Sequence, residues 1–341
     1  MKVFIFGAGA SKGSQDTYQP NVIAPLANEL FNQQYQGFAN AVGVEASEVE
    51  KYRTAITEKI GLENWLTNLW DKHKNLKSSL SKSSNRSVFG RITCYIWWLM
   101  QNVSDTYNVE NGYKLFLEKL EAEDGEYGFI NFNYDTLLDR ALMGSGSNLI
   151  NGLAGYSNSN YVKPHGSVNW FLKKRSDDPN ISPGEQSHDH LSRFRIAANS
   201  MYGDQPIPMS LEVFDPSHSD LKGTSIISSG KFNHQYGYPF ILVPLTSKLY
   251  GHLENYKEQI LSEAQKLVSK SKEIYLIGYQ AKDEIIKDIF STFSLQIPLH
   301  VIGNGHAEAI QSEFLSWQKS MTKGKIFNEG FMKFVKTYEE F

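Results

Sequence analysis

The stretch Lys2-Val3-Phe4-Ile5-Phe6-Gly7-Ala8-Gly9-Ala10-Ser11 joins a short apolar run directly to a glycine-rich turn. An apolar run of this length is typical of a buried strand, and glycines at its end let the backbone turn tightly. Because no side chains are in the way, the N–H groups of such a turn are able to approach a phosphate. The stretch therefore predicts a dinucleotide-binding turn, although Lys12 stands where the last glycine of a strict G-x-G-x-x-G pattern would fall.

Further strand-like runs follow at wide intervals. They are Gly128–Phe132, Phe240–Val243, Glu273–Ile277 and Leu299–Ile302. Because these runs are apolar and lack polar alternation, they indicate strands that are buried on both faces of a parallel sheet. Most of them lead into a helix-like segment. We therefore expect one α/β domain over 1–341, with a Rossmann-like, doubly wound and mainly parallel sheet.

Two long segments interrupt this pattern. Residues 25–122 have mostly helical patterns, and we expect them to form a helical cap subdomain over the glycine turn. The helix-like stretches are Pro25–Tyr35, Ser47–Ile60, Glu63–Leu76, Arg91–Val103 and Tyr113–Glu121, with an exposed loop expected at Asn75–Ser87. Residues 174–238 are rich in Ser, Asp, Pro, Asn and Gly, which predicts an irregular insertion between two strands of the sheet.

The composition argues against several classes of protein. With 34 basic and 37 acidic side chains, the net charge of -3 gives no electrostatic reason to expect direct nucleic-acid binding. The single cysteine, Cys94, cannot form a disulfide framework or a thiolate zinc site within one chain, which fits a cytoplasmic, reducing location. The most apolar stretch, Cys94–Met100, is far shorter than the ~20 residues that span a bilayer, so we expect a buried helix and no membrane segment. The N-terminal apolar run also lacks the form of a signal peptide.

Polar side chains follow the second strand-like run. Asn133 and Asp135 lie in Asn-Phe-Asn-Tyr-Asp, residues 131–135, directly before a helical pattern at Thr136–Leu142. In an open α/β sheet the carboxyl ends of the strands form the ligand crevice, so both side chains are expected to face whatever the glycine turn binds. The alternative is that Asp135 caps the following helix and Asn133 completes a turn.

A histidine follows another short strand-like run, Tyr161–Lys163. His165 lies in Lys-Pro-His-Gly-Ser, residues 163–167, between a rigid proline and a permissive glycine. A histidine titrates near neutral pH and is able to accept a proton from a sugar hydroxyl or from water, which suits a general base. A lone histidine is more often structural, so this interpretation depends on the other motifs.

Two later strand-like runs also end in glycine. The residues concerned are Gly278, Tyr279 and Asp283 after the run at Glu273–Ile277, and Gly303 and Asn304 after the run at Leu299–Ile302. Each turn offers backbone amides and a small side chain to a nucleotide, and the alternative is an ordinary turn.

Ser187-His188-Asp189-His190 has two histidines around an aspartate, but no third ligand is evident nearby, so we expect no metal site.

Taken in order, four motifs resemble those of the sirtuin-like family, and most of all its zinc-less branch that hydrolyses NAD in bacterial anti-phage defence. They are Gly-Ala-Gly-Ala-Ser at 7–11, Asn-Phe-Asn-Tyr-Asp at 131–135, Lys-Pro-His-Gly-Ser at 163–167 and Ile-Gly-Tyr-Gln-Ala-Lys-Asp at 277–283. Their order and approximate spacing match across nearly the whole chain. Protein-deacetylating sirtuins carry a four-cysteine zinc module, which a chain with one cysteine cannot supply. The resemblance therefore implies hydrolysis of NAD and makes deacetylation doubtful.

The resemblance also implies roles for individual residues. Asn133 and His165 would be the catalytic pair, and Asp135 would line the nicotinamide pocket. The NAD-binding residues would be Gly7, Ala8, Gly9, Ala10 and Ser11 at the pyrophosphate, Gly278, Tyr279 and Asp283 around phosphate and ribose, and Gly303 and Asn304 toward the adenosine end. NAD would be the substrate, with no metal. The defence relatives imply a gated enzyme that acts as a homo-oligomer or with a partner protein such as a ring ATPase or an Argonaute.

Overall fold

The structure is a computed structural model that describes residues 1–41, 44–55, 62–74, 79–108, 110–149, 151–174, 209–217, 237–242 and 254–338. Its strands are β1 (Lys2–Phe6), β2 (Tyr127–Asn131), β3 (Tyr161–Val162), β4 (Gly166–Lys174), β5 (Met209–Val213), β6 (Gly237–Ile241), β7 (Glu273–Ile277), β8 (Pro298–Ile302) and β9 (Thr322–Phe327). Its α-helices are α1 (Ala8–Ser14), α2 (Gln36–Ala41), α3 (Ala46–Ala55), α4 (Leu62–Lys74), α5 (Ser79–Ser104), α6 (Gly112–Glu121), α7 (Leu137–Gly144), α8 (Gly152–Asn158), α9 (Glu254–Ser269), α10 (Glu284–Phe290), α11 (Ala307–Trp317) and α12 (Phe331–Lys336).

Six of these strands form one sheet in which all neighbours run parallel, in the order β3-β2-β1-β7-β8-β9. Val3, Phe4, Ile5 and Phe6 of β1 have no exposed surface. Since successive side chains of a strand point to opposite faces, this burial means that both faces of the sheet are covered. The predicted doubly wound, parallel α/β sheet is confirmed, with the predicted bounds for β1 and β7.

The chain order of this sheet reverses between β1 and β7. From β1 the strands proceed to β2 and β3 on one side, and to β7, β8 and β9 on the other. Such a reversal is the switch point of an open α/β sheet, where the connections leave in opposite directions and open a crevice at the carboxyl ends of the strands. The end of β1 is Phe6, so the glycine turn lies at the mouth of this crevice.

A second sheet corrects one prediction. Strands β5, β4 and β6 form a three-stranded antiparallel sheet, so the apolar run at Phe240–Val243 does not belong to the parallel sheet. An apolar run does not specify its partner, and here β6 pairs with the buried strand β4. The predicted irregular insertion over 174–238 contains β5, and its residues 175–208 and 218–236 lie outside the described residues.

The helical segment after the glycine turn differs from its prediction at two places. Pro25–Tyr35 is not one helix but two short 3₁₀ turns, Ala27–Glu29 and Gln33–Tyr35. The Glu29 carboxylate accepts from the Leu26 amide at 2.9 Å and pairs with Lys12 at 2.7 Å, which ties this stretch to α1. The loop predicted at Asn75–Ser87 is wrong from residue 79 onward, because α5 begins there, and residues 75–78 lie outside the described residues. A Ser- and Lys-rich composition does not exclude a helix, because both residues have only small or moderate penalties in helices.

Helix α5 packs on the second sheet. The Trp97 indole donates to the Val168 carbonyl at 3.0 Å, and its ring meets Phe171 edge to face. Cys94 and Tyr95 of the same helix are buried, which confirms the buried helix predicted at Cys94–Met100. Among the helices in the described ranges, none is both long and apolar enough to cross a membrane.

One glycine of the fold offers a clear test. Gly166, the first residue of β4, has a φ of +78°, and a Cβ there would collide with the Phe240 carbonyl. We predict that Gly166→Ala lowers the free energy of unfolding by about 2 kcal/mol or more, because it adds both backbone strain and overpacking. Urea denaturation measures the change. In the matched control, Gly37→Ala of α2, a Cβ meets nothing within 4 Å, so its midpoint should stay or rise. Equal midpoints for the two variants would contradict the prediction.

Candidate active site

The carboxyl ends of β1 and β7 contact each other through backbone. The Gly7 amide donates to the Ile277 carbonyl at 3.0 Å, and the Gly9 amide donates to the Gly278 carbonyl at 2.9 Å. A Cβ on Gly9 would lie 3.0 Å from the Cα of Gly278, and one on Gly7 would lie 2.7 Å from Tyr279. Gly278 also has a φ of +59°. Glycine is therefore required in both turns by the distance between them.

The predicted phosphate-binding turn is held tightly inside the protein. In addition to the bonds of Gly7 and Gly9, the Ala10 amide donates to the Gly7 carbonyl at 2.9 Å. Ala8 and Gly9 are partly exposed, whereas Ala10 and Ser11 are buried. A ligand at this turn would reach Ala8 and Gly9, while Ala10 and Ser11 support the turn from inside.

Asn133 reaches from the end of β2 to the glycine turn. Its Nδ2 donates to the Gly7 carbonyl at 3.0 Å and to Ser11 Oγ at 2.9 Å, and it lies 3.3 Å from the Tyr113 hydroxyl. The hydroxyls of Ser11 and Tyr113 are 3.1 Å apart. These contacts fix the plane of the Asn133 amide, which is 6% exposed. Tyr113 was not predicted as a site residue, because a tyrosine on the apolar face of a helix has the same pattern as a core aromatic.

Asp135 is buried beside the same cluster. Its Oδ1 accepts from the Leu137 amide at 3.1 Å, at the beginning of α7, which is the contact expected of a capping residue. Its main-chain carbonyl accepts from Lys163 Nζ at 2.6 Å. Burial raises the pKa of the Asp135 carboxyl, while the charge of Lys163 and a hydrogen bond from Ser11 act in the opposite direction. Asp135 thus supports the local backbone, and its predicted place in a nicotinamide pocket stays a prediction.

A buried ion pair holds the segment that carries His165. Lys163 Nζ lies 3.0 Å from Asp139 Oδ2, and neither side chain has exposed surface. Asp139 also accepts from the Tyr156 hydroxyl at 2.7 Å and from the Tyr161 hydroxyl at 2.8 Å. Buried charges persist only when they are paired and hydrogen-bonded in this way. The network joins α7, α8 and β3 next to the histidine.

Both ring nitrogens of His165 face oxygen atoms. Nδ1 lies 3.1 Å from the Phe132 carbonyl oxygen, and Nε2 lies 2.6 Å from Asp283 Oδ2. The ring packs edge to face on Phe132 at a centroid distance of 4.9 Å and is 7% exposed. Because a carbonyl only accepts, Nδ1 carries a hydrogen, which makes Nε2 the nitrogen that is able to act as a base.

Asp283 contacts the candidate catalytic residue His165, and Tyr279 packs on Phe132 beside it; neither contact follows from their predicted role in NAD binding. Asp283 caps α10, since its Oδ1 accepts from the Ile285 amide at 2.9 Å while Oδ2 faces His165. The Tyr279 ring stacks on Phe132 at a centroid distance of 4.3 Å and an interplanar angle of 16°. The contact between Asp283 and His165 was not predicted, because a capping aspartate gives no signal of what its second oxygen meets.

The four sequence motifs form a closed ring of contacts, which we call the motif ring. The 7–11 motif meets the 131–135 motif through the bonds of Asn133 to Gly7 and Ser11. The 131–135 motif meets the 163–167 motif through the contact of the Phe132 carbonyl with His165. His165 meets the 277–283 motif through Asp283, and Gly278 of that motif returns to the glycine turn. The structure therefore brings together residues that are up to 276 positions apart, from Gly7 to Asp283.

Gly303 and Asn304 lie one strand farther from the glycine turn. The Gly303 amide donates to the Phe327 carbonyl at 2.9 Å, and its carbonyl accepts from the Gly330 amide at 2.8 Å. Asn304 is exposed and forms an isolated bridge with Glu329. Within the described ranges, these two residues do not take part in the motif ring. Their predicted contact with the adenosine end stays a prediction.

Metal and thiol chemistry have little support in the described part of the chain. Among the described residues, no group of three or more His, Cys, Asp or Glu side chains is placed to hold a metal ion. The Ser187-His188-Asp189-His190 stretch lies outside those residues. Cys94 is fully buried, and burial raises the pKa of its thiol to about 12, so it is not a nucleophile near neutral pH.

No protein-family model and no curated protein matches this chain. Among solved structures, it is similar to Sir2 in complex with the inhibitor EX-527, 2'-O-acetyl-ADP-ribose and deacetylated p53 peptide, with a TM-score of 0.43, 14% identity, and coverage of 100% of this chain and 93% of that chain. It is also similar to Sir2 with a p53 peptide and NAD+, with a TM-score of 0.43 and 14% identity. That match covers 100% of this chain and 92% of the other. A third is Sir2Tm bound to a propionylated peptide, with a TM-score of 0.42, 14% identity, and coverage of 100% and 92%. At these values no residue role is carried over from them.

The buried ion pair next to His165 generates a prediction. We expect Lys163→Met to lower the free energy of unfolding by about 3–5 kcal/mol, because it leaves the Asp139 carboxylate buried without its cation. The matched control is Lys266→Met, which removes an ion pair with Glu263 at 3.4 Å in which the lysine side chain is 57% exposed. Its effect should stay below about 1 kcal/mol. Urea denaturation measures both, and equal losses in the two variants would contradict the expectation.

Asp135 generates a pH-dependent prediction. Because burial raises its pKa in the folded chain, ionising it destabilises the folded state, and this loss sets in as pH rises above the ordinary aspartate value of 3.8. We expect Asp135→Asn to raise the thermal midpoint at pH 8, with a gain that shrinks toward zero below about pH 4. Calorimetry at both pH values measures it. A gain that is constant with pH would contradict the assignment. If Asp135 also lines the substrate pocket, the stabilised variant should lose activity.

Proposed function

We propose that the chain hydrolyses NAD to nicotinamide and ADP-ribose. The observation that carries the proposal is the motif ring, which lies at the switch point of the sheet. An amide from Asn133 and an imidazole from His165 are each tied to the crevice through backbone carbonyls, those of Gly7 and Phe132. Dinucleotides bind at the switch points of such sheets, and the two side chains supply the hydrogen-bonding and proton-accepting groups that glycoside cleavage needs.

The reaction breaks the bond between the nicotinamide nitrogen and the anomeric carbon of the ribose. The bonding electrons leave with nicotinamide, which becomes neutral, and the sugar passes through a transition state with oxocarbenium character. Water then adds its oxygen to the anomeric carbon and loses one proton. His165 Nε2 is the atom that would take this proton, because Nδ1 is directed to the Phe132 carbonyl.

Asn133 would orient the water or the ribose hydroxyls. Its Nδ2 is bonded to Gly7 and Ser11, so the amide plane is set before a ligand arrives. The carbonyl oxygen of the same amide is the atom that would accept from a hydroxyl. A preset geometry of this kind lowers the barrier, because little ordering remains to be done in the transition state. Ala8 and Gly9, the partly exposed residues of the glycine turn, would contact the pyrophosphate.

In the cell this activity would act as a gated effector that depletes NAD in anti-phage defence. An ungated NAD hydrolase would kill its own host, so the proposal requires control by self-assembly or by a partner protein of the ring ATPase or Argonaute type. The support is the resemblance of the four motifs. Purified protein alone and with each candidate partner, incubated with NAD, tests whether gating resides in the chain or in an assembly.

The catalytic pair generates a prediction. We expect Asn133→Ala and His165→Ala each to reduce nicotinamide release by about 10²- to 10⁴-fold, which is the range for loss of a general base or a positioning group. Chromatography of nicotinamide and ADP-ribose measures the release, and circular dichroism checks the fold. Asn40→Ala is a matched control, since Asn40 of α2 is exposed and lies outside the motif ring. It should change the rate constant by less than about threefold. Turnover at the original rate in both His165→Ala and Asn133→Ala would refute the roles.

The main alternative is a sensor that binds NAD or ADP-ribose without turnover and changes its subunit association. A sensor has no need of a base, and the nearly buried imidazole of His165, held at the crevice, favours the enzyme. A second alternative is a scaffold that recruits a partner protein. Calorimetric titration measures the binding of NAD, and chromatography measures the release of nicotinamide. Together they separate the three, because a sensor would bind NAD without releasing nicotinamide and a scaffold would do neither.

A further inference from the structure

The contact between His165 and Asp283 occupies the atom that catalysis would need. Nε2 lies 2.6 Å from Asp283 Oδ2, while Nδ1 faces the Phe132 carbonyl. A carboxylate at this distance from Nε2 favours the protonated ring, in which both nitrogens carry a hydrogen. In this arrangement neither nitrogen is able to accept a further proton, so the imidazole is not a base.

The surroundings favour the proton on the histidine. Asp283 Oδ1 accepts from the Ile285 amide at 2.9 Å, and a hydrogen bond from an N–H group stabilises the ionised carboxylate. Other titratable groups lie nearby: the Tyr134 ring is 5.9 Å from the imidazole, and Tyr279 stacks on Phe132. Lys163, two residues before His165, has its charge paired with Asp139 at 3.0 Å. Asp283 is thus a charged group in direct contact with the imidazole.

The carboxylate is carried by a short segment that leaves the end of β7 and contacts residues that follow β2 and β3. Residues 278–283, which we call the strap, connect β7 to α10. Gly278 has a φ of +59°, and Ala281, which carries a Cβ, has a φ of +56° and is buried. The left-handed region is unfavourable for alanine, so the contacts at the two ends of the strap, Tyr279 on Phe132 and Asp283 on His165, must hold this conformation.

We propose that Asp283 is an autoinhibitory latch: its carboxylate holds His165 as an imidazolium and keeps the strap across the crevice, so that a ribose hydroxyl or water gains Nε2 only when the strap moves away. The role of His165 as a base rests on the function proposed above, whereas the latch itself is a property of the chain without ligand. Deprotonation of His165 at higher pH weakens the contact, so the latch opens as pH rises.

Histidine titration by NMR tests the latch without any activity. The full chain is labelled at its nine histidines, and His165→Gln identifies the resonance of His165. A carboxylate in contact raises a histidine pKa by about one to three units above its ordinary value. We expect Asp283→Asn to lower the pKa of His165 by about one unit or more. Asparagine keeps the cap on Ile285, so the variant retains the start of α10.

The matched control is Glu284→Gln, which removes one negative charge from an exposed neighbour in the first turn of the same helix. It should leave the pKa of His165 in place. At pH 6 the Asp283→Asn variant should bind NAD about tenfold more tightly than the original chain by calorimetric titration, because one pKa unit changes the neutral fraction of the histidine about tenfold. Its rate of nicotinamide release should rise in the same proportion.

Two results would overturn the latch. One is a pKa of His165 that is the same in the original chain and in Asp283→Asn. The other is a folded Asp283→Asn protein that binds NAD more weakly, which would make the carboxylate part of the ligand site. If no form of the protein releases nicotinamide at any pH, the proposed hydrolysis is refuted, and the titration and the NAD-binding comparison still decide the latch.

Discussion

The close approach of two glycine turns, at the ends of β1 and β7, is the constraint on which the rest of the site depends. Gly9 and Gly278 meet backbone to backbone, and Tyr279 lies where a side chain on Gly7 would be. The Gly7 carbonyl is thereby placed to accept from Asn133, and the carbonyl of the preceding residue, Phe132, faces His165 Nδ1 at 3.1 Å. A steric requirement at two positions thus determines where an amide and an imidazole lie.

Much of this arrangement could be predicted from the sequence, and the limits have physical causes. The apolar runs of β1 and β7 were predicted with their bounds, because strands buried on both faces leave an unbroken hydrophobic pattern. The pairing of β6 with β4 was missed, since an apolar run does not name its partner. The 3₁₀ turns before Tyr35 depend on the tertiary contact of Glu29 with Lys12, which local propensity does not contain. The contacts of Tyr113 with Asn133 and of Asp283 with His165 are also tertiary, so the sequence pattern did not predict them.

The polar interior of the protein is organised in two connected layers. The lower layer is the Lys163–Asp139 pair with its two tyrosine donors. The side chains of the pair have no exposed surface, and their contacts join backbone segments to one another. The upper layer contains Asn133 and His165, which retain a few per cent of exposure at the crevice. Low dielectric strengthens correctly paired groups and penalises unpaired ones, so the lower layer fixes the geometry that the upper layer presents to a ligand.

Asn133 Nδ2 and both ring nitrogens of His165 already have contacts in the chain without ligand, and this has a thermodynamic consequence. A nucleotide that enters the crevice must exchange internal contacts, such as that of Asp283 with His165, for contacts of its own. If the strap must open, the apparent affinity of the nucleotide equals the intrinsic affinity multiplied by the fraction of molecules in which the strap is open. Anything that increases this open fraction then raises the affinity by the same factor. Assembly with a partner or with further copies could supply that bias without touching the nucleotide, provided that it binds the open form more tightly. Under the proposed latch, a closed crevice and a gated activity would be two descriptions of one equilibrium, located in the segment between β7 and α10.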